Sequence, residues 1–452
     1  MVWMGTKAVP LAAQRLRGRD TRAEEDPVHV KAAEQMLATL GEMKGLALKM
    51  GQMMSYMDGA LPAEAEPAFR RVLAKLQRDA PTLPWEAARR VLEEDLGNVQ
   101  DHFASIEEVP FAAASIGQVH RAVLHDGTEV AVKIQYPNIR AAIEADMDNL
   151  ELFKGMARPF LGVMGAGSSL EFVKETMDEI RARTLEELDY RREARMQTEL
   201  RRLLAGVEGL VIPQVYHQHS GDRVMTSRFE PGEGLDDVAD APQELRDTWA
   251  RILTKAVVDQ LYVHRLFNGD PHPGNYLFRR DGTVVLLDFG CVKEISPAMN
   301  ADMKRYGKAL IKARDTDTVE DWAAFDRAFK DAQNLWDASP EMYEMAKDML
   351  VYVATPLTVD EPFDFTVEFT AGVNDLMIEK KMEMLYPDGR RIPKMPKIPS
   401  MPADYTFIHR LQWGFFSVLT RLGAKVNWYA LLPPDMQVRR GGSKAPPVAP
   451  VA

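Results

Sequence analysis

The chain is 452 residues long, with 46% hydrophobic and 27% charged residues, ordinary globular proportions with room for about two or three cored units. A formal charge of -11 argues against a broad nucleic-acid footprint, which needs clustered Lys and Arg. The single cysteine, Cys291, excludes an intramolecular disulfide and a cysteine-built zinc site.

No apolar run approaches the roughly 18–20 residues of a membrane span, and the N-terminus lacks the apolar segment of a secretory signal. These features predict a cytoplasmic chain, with Arg15, Arg17 and Arg19 on a surface arm. From 27 to 96 apolar residues recur at helical spacing, with Pro84 opening the last helix and Gly97 closing it. From about Ile106 the period becomes two. Segments 119–124 and 129–135, around Asp126-Gly127, predict a β-hairpin. Helices over 138–157 and 169–205 follow, then short strands near 214–217 and 223–227 and a linker over 229–234. A helix over 242–266 precedes a second hairpin, of strands 276–278 and 283–287 turned by Asp281-Gly282. From Pro297 the chain reads as nearly all helix, interrupted by a Pro-, Met- and Lys-rich stretch at 387–404. The pattern predicts an α+β fold, a small mixed lobe joined to a larger helical one. Its expected divisions are a helical extension over 1–105, a small lobe with a helical insertion over 106–230, and a large lobe over 231–452.

The chemistry concentrates between 268 and 290. Asn268-Gly269-Asp270-Pro271-His272-Pro273-Gly274-Asn275 precedes a hairpin that ends in Leu287-Asp288-Phe289-Gly290. Phosphoryl transfer from ATP needs metal to hold phosphates and a carboxylate near the acceptor hydroxyl. An Asp, an Asn five residues on, and then Asp-Phe-Gly supply those groups in kinase order. Asp270 is the expected base or acceptor-orienting group, and Asn275 and Asp288 the expected magnesium ligands. Asp-Phe-Gly alone would be no more than turn chemistry; the two elements around one hairpin carry the signal.

Strand alternation in Val130-Ala131-Val132-Lys133 sets both valines on one face and Ala131 with Lys133 on the other, a small residue and a cation where adenine and phosphate fit. Upstream, where kinases place a Gly-rich loop, stands Ala112-Ala113-Ala114-Ser115. Alanine resists positive φ, so this loop is expected to be stiffer and to alter how a nucleotide sits.

Together these motifs resemble the UbiB family, the AarF-domain atypical kinases tied to ubiquinone biosynthesis. The family's Lys-x-Gly-Gln motif matches Lys49-Met50-Gly51-Gln52, its Glu-x-Asp element matches Glu187-Leu188-Asp189, and its following glutamate matches Glu193. The resemblance implies a protein-kinase-like two-lobe fold whose N-terminal extension covers the place of a protein substrate. Lys49 and Gln52 would reach the active site near Glu187 and Asp189, and Glu193 would pair with Lys133. The nucleotide-binding set implied is Ala112, Ala113, Ala114, Ser115, Lys133, Glu193, Arg228 and Glu230, with Lys133 and Asp270 catalytic and ATP or ADP with Mg2+ as cofactors. Lipid or quinone-pathway partners and peripheral membrane contact belong to the same implication. Helix geometry sits awkwardly with one part of it, because residues two apart point to nearly opposite faces; Glu186, Asp189 and Glu193 share a face more naturally. Asn268 stands where the family often has histidine.

After Gly290 the chain is expected to turn helical almost at once, with no Ala-Pro-Glu segment of the kind that orders a peptide-binding surface. Two other readings stay open: a small-molecule phosphotransferase related to aminoglycoside and choline kinases, and a nucleotide-dependent scaffold with dispensable catalysis. The aromatic and basic segment 405–426 suits either packing on the large lobe or a membrane surface, with packing favoured. Cys291 reads as a buried packing residue and His272 as structural.

Overall fold

The computed structural model describes residues 83–114, 116–141, 143, 186–372, 376, 379–380 and 403–438. Lys49, Gln52 and Ser115 lie outside the described residues, as do the helices expected before 83 and most of those expected between 138 and 185. The chain divides into one unit of 1–81 with 138–184 and a second of 82–137 with 185–452. The elements named below belong to the second unit.

A five-stranded sheet is built on the order β1-β3-β4-β6, with β2 pairing β3 (β1 Ser105–Ile106, β2 Ala112–Ala114, β3 Gly117–Val123, β4 Glu129–Gln135, β6 Val224–Arg228). The β3–β4 hairpin pairs Val119 with Lys133 and Val123 with Glu129, closing over Gly127 at φ 84°. Val130, Val132 and Ile134 are fully buried on one face of β4, where they meet Ala88, Val91 and Leu92 of helix α1 (Trp85–Leu96). Each such burial contributes about 1.5–3 kcal/mol, which fixes the register and leaves Ala131 and Lys133 on the opposite face. Helix α1 starts after Pro84 and stops at Gly97, φ 84°, as the sequence predicts.

Gly117 is required by close approach. A Cβ there would stand 2.2 Å from the Ile134 carbonyl oxygen.

The expected strand at 214–217 is absent; Val215 forms only an isolated bridge to Ser227, and the chain then coils into a 3-10 turn at His217–His219. The expected helix across 169–205 is also interrupted. Within the described residues it breaks at Leu188 and restarts as α2 (Tyr190–Leu203), whose first turn is capped by Asp189 accepting the Arg192 N–H at 2.8 Å.

The large lobe forms around α3 (Gln243–Val258), which continues as a π-helical turn, Asp259–His264, instead of running regularly to 266. Strand β5 (Leu210–Val211) pairs parallel to β9 (Val284–Leu286), which pairs antiparallel with β8 (Tyr276–Phe278). A two-stranded ribbon of three residue pairs that the sequence did not disclose joins β7 (Leu266–Asn268) to β10 (Val292–Glu294), so a strand intervenes between Gly290 and helix α4 (Pro297–Thr316). Helices α5 (Val319–Gln333), α6 (Pro340–Val353) and α7 (Ala403–Leu422) follow, and a short ribbon of Phe363–Asp364 with Lys425–Val426 interrupts the expected run of helix. Phe415, Phe416, Val418 and Leu419 of α7 are buried with Trp249 and Phe278, so this face packs on the lobe.

Candidate functional site

Lys133 and Glu193 meet across β4 and α2. The Lys133 ammonium donates to both Glu193 carboxylate oxygens, at 2.9 and 3.0 Å, and stands 3.8 Å from Asp288. Glu193 is buried, and the Tyr190 ring lies 4.9 Å below the ammonium. Burial alone would lower the Lys133 pKa; the Glu193 and Asp288 carboxylates overcome it and hold the amine charged, well above its ordinary range. Burial pushes the Glu193 carboxyl up while Lys133 pulls it back. One ammonium shared between both oxygens is ion-pair geometry.

Opposite lies the loop between β7 and β8. Asn275 donates from its Nδ2 to the Asp270 carbonyl at 3.0 Å and to the Asp270 carboxylate at 3.3 Å, so its Oδ1 is the amide atom left for other work. The Leu287 N–H donates to the Asn275 carbonyl at 2.8 Å, setting that residue beside Asp288. Asp288 has φ 54°, a left-handed conformation uncommon outside glycine that aspartate tolerates through local hydrogen bonding, and its Oδ1 accepts the Gly290 N–H at 3.0 Å. Phe289 is fully buried in the large-lobe core, which anchors the turn from below.

Asn268 binds both halves of this loop. Its Nδ2 donates to the Asp288 carbonyl at 2.7 Å and its Oδ1 accepts the Asp270 N–H at 3.2 Å. Its own N–H goes to the Gln260 side chain at 2.8 Å, from the π-helical turn. At the position where the resemblance implies histidine, one amide thus supplies both a donor and an acceptor to the loop. His272 accepts the Gly274 N–H at 3.0 Å, and Cys291 is buried with its carbonyl accepting the Gly269 N–H at 3.0 Å.

Among the described residues no group of three or more His, Cys, Asp or Glu could hold a metal by itself. Magnesium bound with a nucleotide would need only one or two protein oxygens, its sphere being filled by phosphates and water. Asp288 with the Asn275 amide oxygen fits that requirement.

The other expected residues fall as follows. Ala112 and Ala114 are half-buried and Ala113 exposed on β2, and Ala112 pairs with Val119, the residue that pairs with Lys133. Glu230 turns to Arg279 at 2.6 Å, and Arg228 is exposed, 3.7 Å from Glu230. Their side chains brace the linker instead of joining the Lys133 cluster. The Glu187 side chain lies against Gly290, 3.5 Å from where a Cβ would stand. Because the helix breaks at Leu188, Glu187 and Asp189 are not constrained to opposite faces of one helix; Asp189 caps α2, and Glu186 pairs with Lys293 at 2.5 Å. Tyr190, Arg192 and Gln260 were missed. Tyr190 had a signal, three residues before Glu193 on the same helical face; Arg192 and Gln260 act on backbone groups, which leave none.

The chain matches the ABC1 atypical kinase-like domain over residues 75–322. It is 31% identical over 398 residues to the mitochondrial atypical kinase COQ8B of Rattus norvegicus, covering 87% of this chain and 70% of that protein. It is 29% identical over 398 residues to the COQ8B of Danio rerio, covering 87% of this chain and spanning 59% of that relative's length. Among solved structures, Rv3197 of Mycobacterium tuberculosis in complex with erythromycin superposes with a TM-score of 0.60 at 27% identity, over 95% of this chain and 99% of that one.

Proposed function

The chain belongs to the ABC1 atypical kinase-like family, the UbiB group, and from that membership we propose that it is a magnesium-dependent ATPase or phosphotransferase acting in ubiquinone or related isoprenoid-lipid metabolism. The observation that carries the reading is Lys133, held by Glu193 and standing 3.8 Å from Asp288, a cation between the sheet and the metal-holding turn. In this proposal Lys133 neutralises phosphate charge, positioned by Glu193. Asp288 and the Asn275 amide oxygen hold magnesium, which supplies positive charge against the phosphate oxygens. Asp270, its carboxylate oriented by Asn275, accepts the hydrogen bond of the attacking hydroxyl or water.

Two further parts of the proposal are the division into an extension over 1–105, a small lobe over 106–230 and a large lobe over 231–452, and gating by Lys49, Gln52, Glu187 and Asp189. Work at a membrane surface is supported by the family's tie to isoprenoid lipids; among the described residues no helix is long and apolar enough to cross a membrane.

The test is ADP release from MgATP by the full chain, with and without liposomes. Turnover that Asp288→Asn abolishes and liposomes stimulate is the expected result; full activity in that variant removes the site assignment. Tight nucleotide binding without turnover, together with an Asp270→Asn chain that fully supports quinone production, would replace the enzyme with a scaffold.

A further inference from the structure

Arg192 is the residue next to Glu193 on α2, half-buried, and its guanidinium reaches the backbone just after the Asp288 turn. It donates from one terminal nitrogen to the Gly290 carbonyl at 3.0 Å and from the other to the Val292 carbonyl at 2.6 Å. Asn268 holds the Asp288 carbonyl at 2.7 Å. The carbonyls of residues 288, 290 and 292 are therefore all held by side chains, from the residue kept at φ 54° onward through the turn. Aspartate tolerates the left-handed region better than most residues, and these hydrogen bonds hold Asp288 there. The planar fork of an arginine suits two carbonyls at once; an ammonium is a single point of charge.

We propose that Arg192 is a positioning residue for Asp288, acting through the backbone of the turn to aim the carboxylate at the metal. Consecutive residues of one helix then serve the two halves of the site. Glu193 sets the phosphate-side cation, Arg192 sets the metal-side anion, and a displacement of α2 disturbs both together. Two neighbouring contacts reinforce the coupling: Gln135 donates to the Leu188 carbonyl at 2.8 Å and Glu186 pairs with Lys293. This role rests on the nucleotide reading above.

The test follows binding instead of turnover. Mn2+ binding to the ADP complex of the full chain is titrated by electron paramagnetic resonance in wild type, Arg192→Ala and Arg192→Lys, with ADP binding in the absence of metal measured alongside. Groups that orient metal ligands are worth about 10–100-fold in metal affinity. A loss in that range is expected in Arg192→Ala, with metal-free ADP binding unchanged and partial recovery on adding guanidinium ion. Arg192→Lys is expected to fall between, because one ammonium replaces a fork. A folded Arg192→Ala chain with wild-type Mn2+ affinity overturns the role. If that variant does not fold, wild-type affinity in Arg192→Lys overturns it equally. A wild-type chain that shows no metal-dependent ADP binding overturns the nucleotide reading itself, a failure visible before any substitution is made.

Discussion

The two sides of the site are held by different physics. On the sheet side, Lys133 and Glu193 are a largely buried ion pair, each the other's main compensation for lost water. On the loop side, Asp270 and Asp288 are half-buried, and hydrogen bonds to and from the backbone shape their surroundings. Breaking a buried pair strands a charge, whereas changing a half-exposed carboxylate removes chemistry and leaves the fold intact. The sheet side should therefore answer to stability measurements and the loop side to function.

The largest expected effect is Glu193→Ala, which leaves Lys133 without its principal partner and should cost about 3–5 kcal/mol in denaturant unfolding. A loss below about 1 kcal/mol would mean that water or Asp288 already compensates the ammonium. Next comes Gly117→Ala, where the new methyl meets the Ile134 carbonyl; about 1–3 kcal/mol is expected from forced backbone shifts. Unchanged stability there would show that the hairpin slides freely and does not fix Lys133.

A smaller, pH-dependent effect belongs to His120. Gln118 accepts the Leu83 N–H on its Oε1 at 2.8 Å and so presents its Nε2 to His120 Nε2, at 2.8 Å. The imidazole must accept there and donate from Nδ1 to the Glu107 carbonyl at 2.7 Å. Burial accordingly holds its pKa below the usual 6.5, against the pull of Glu107. The unfolded chain takes up the proton first, so stability present above about pH 6.5 is lost as pH falls through the lower folded value. Thermal melts from pH 7.5 to 5.5 should show a steeper decline in wild type than in His120→Asn; parallel curves would sink this assignment. The smallest stability effect is expected from Asp288→Asn, within about 1 kcal/mol, because an amide oxygen still accepts the Gly290 N–H. A large loss of stability there would erase the contrast between the two sides.

Much of this was legible from residue order. The alternation of Val130 to Lys133 named the face on which Lys133 stands, and Asp281-Gly282 marked the hairpin between Asn275 and Asp288. Proline and glycine bounded α1 at both ends. What escaped has a common cause. The β7–β10 ribbon, the π-helical turn and the break at Leu188 are tertiary choices: Gln260 reaching the Asn268 N–H, Arg192 reaching two carbonyls, and Asp189 capping a helix in place of continuing it. Side chains that serve the backbone carry no periodicity and no motif.

The most direct test is a crystal structure of the full chain with MgADP. The account predicts phosphate oxygens within hydrogen-bond distance of the Lys133 ammonium, with the metal on Asp288 and the Asn275 amide oxygen. Nucleotide bound elsewhere, or phosphates that avoid Lys133 while the Glu193 pair stays closed, would contradict it.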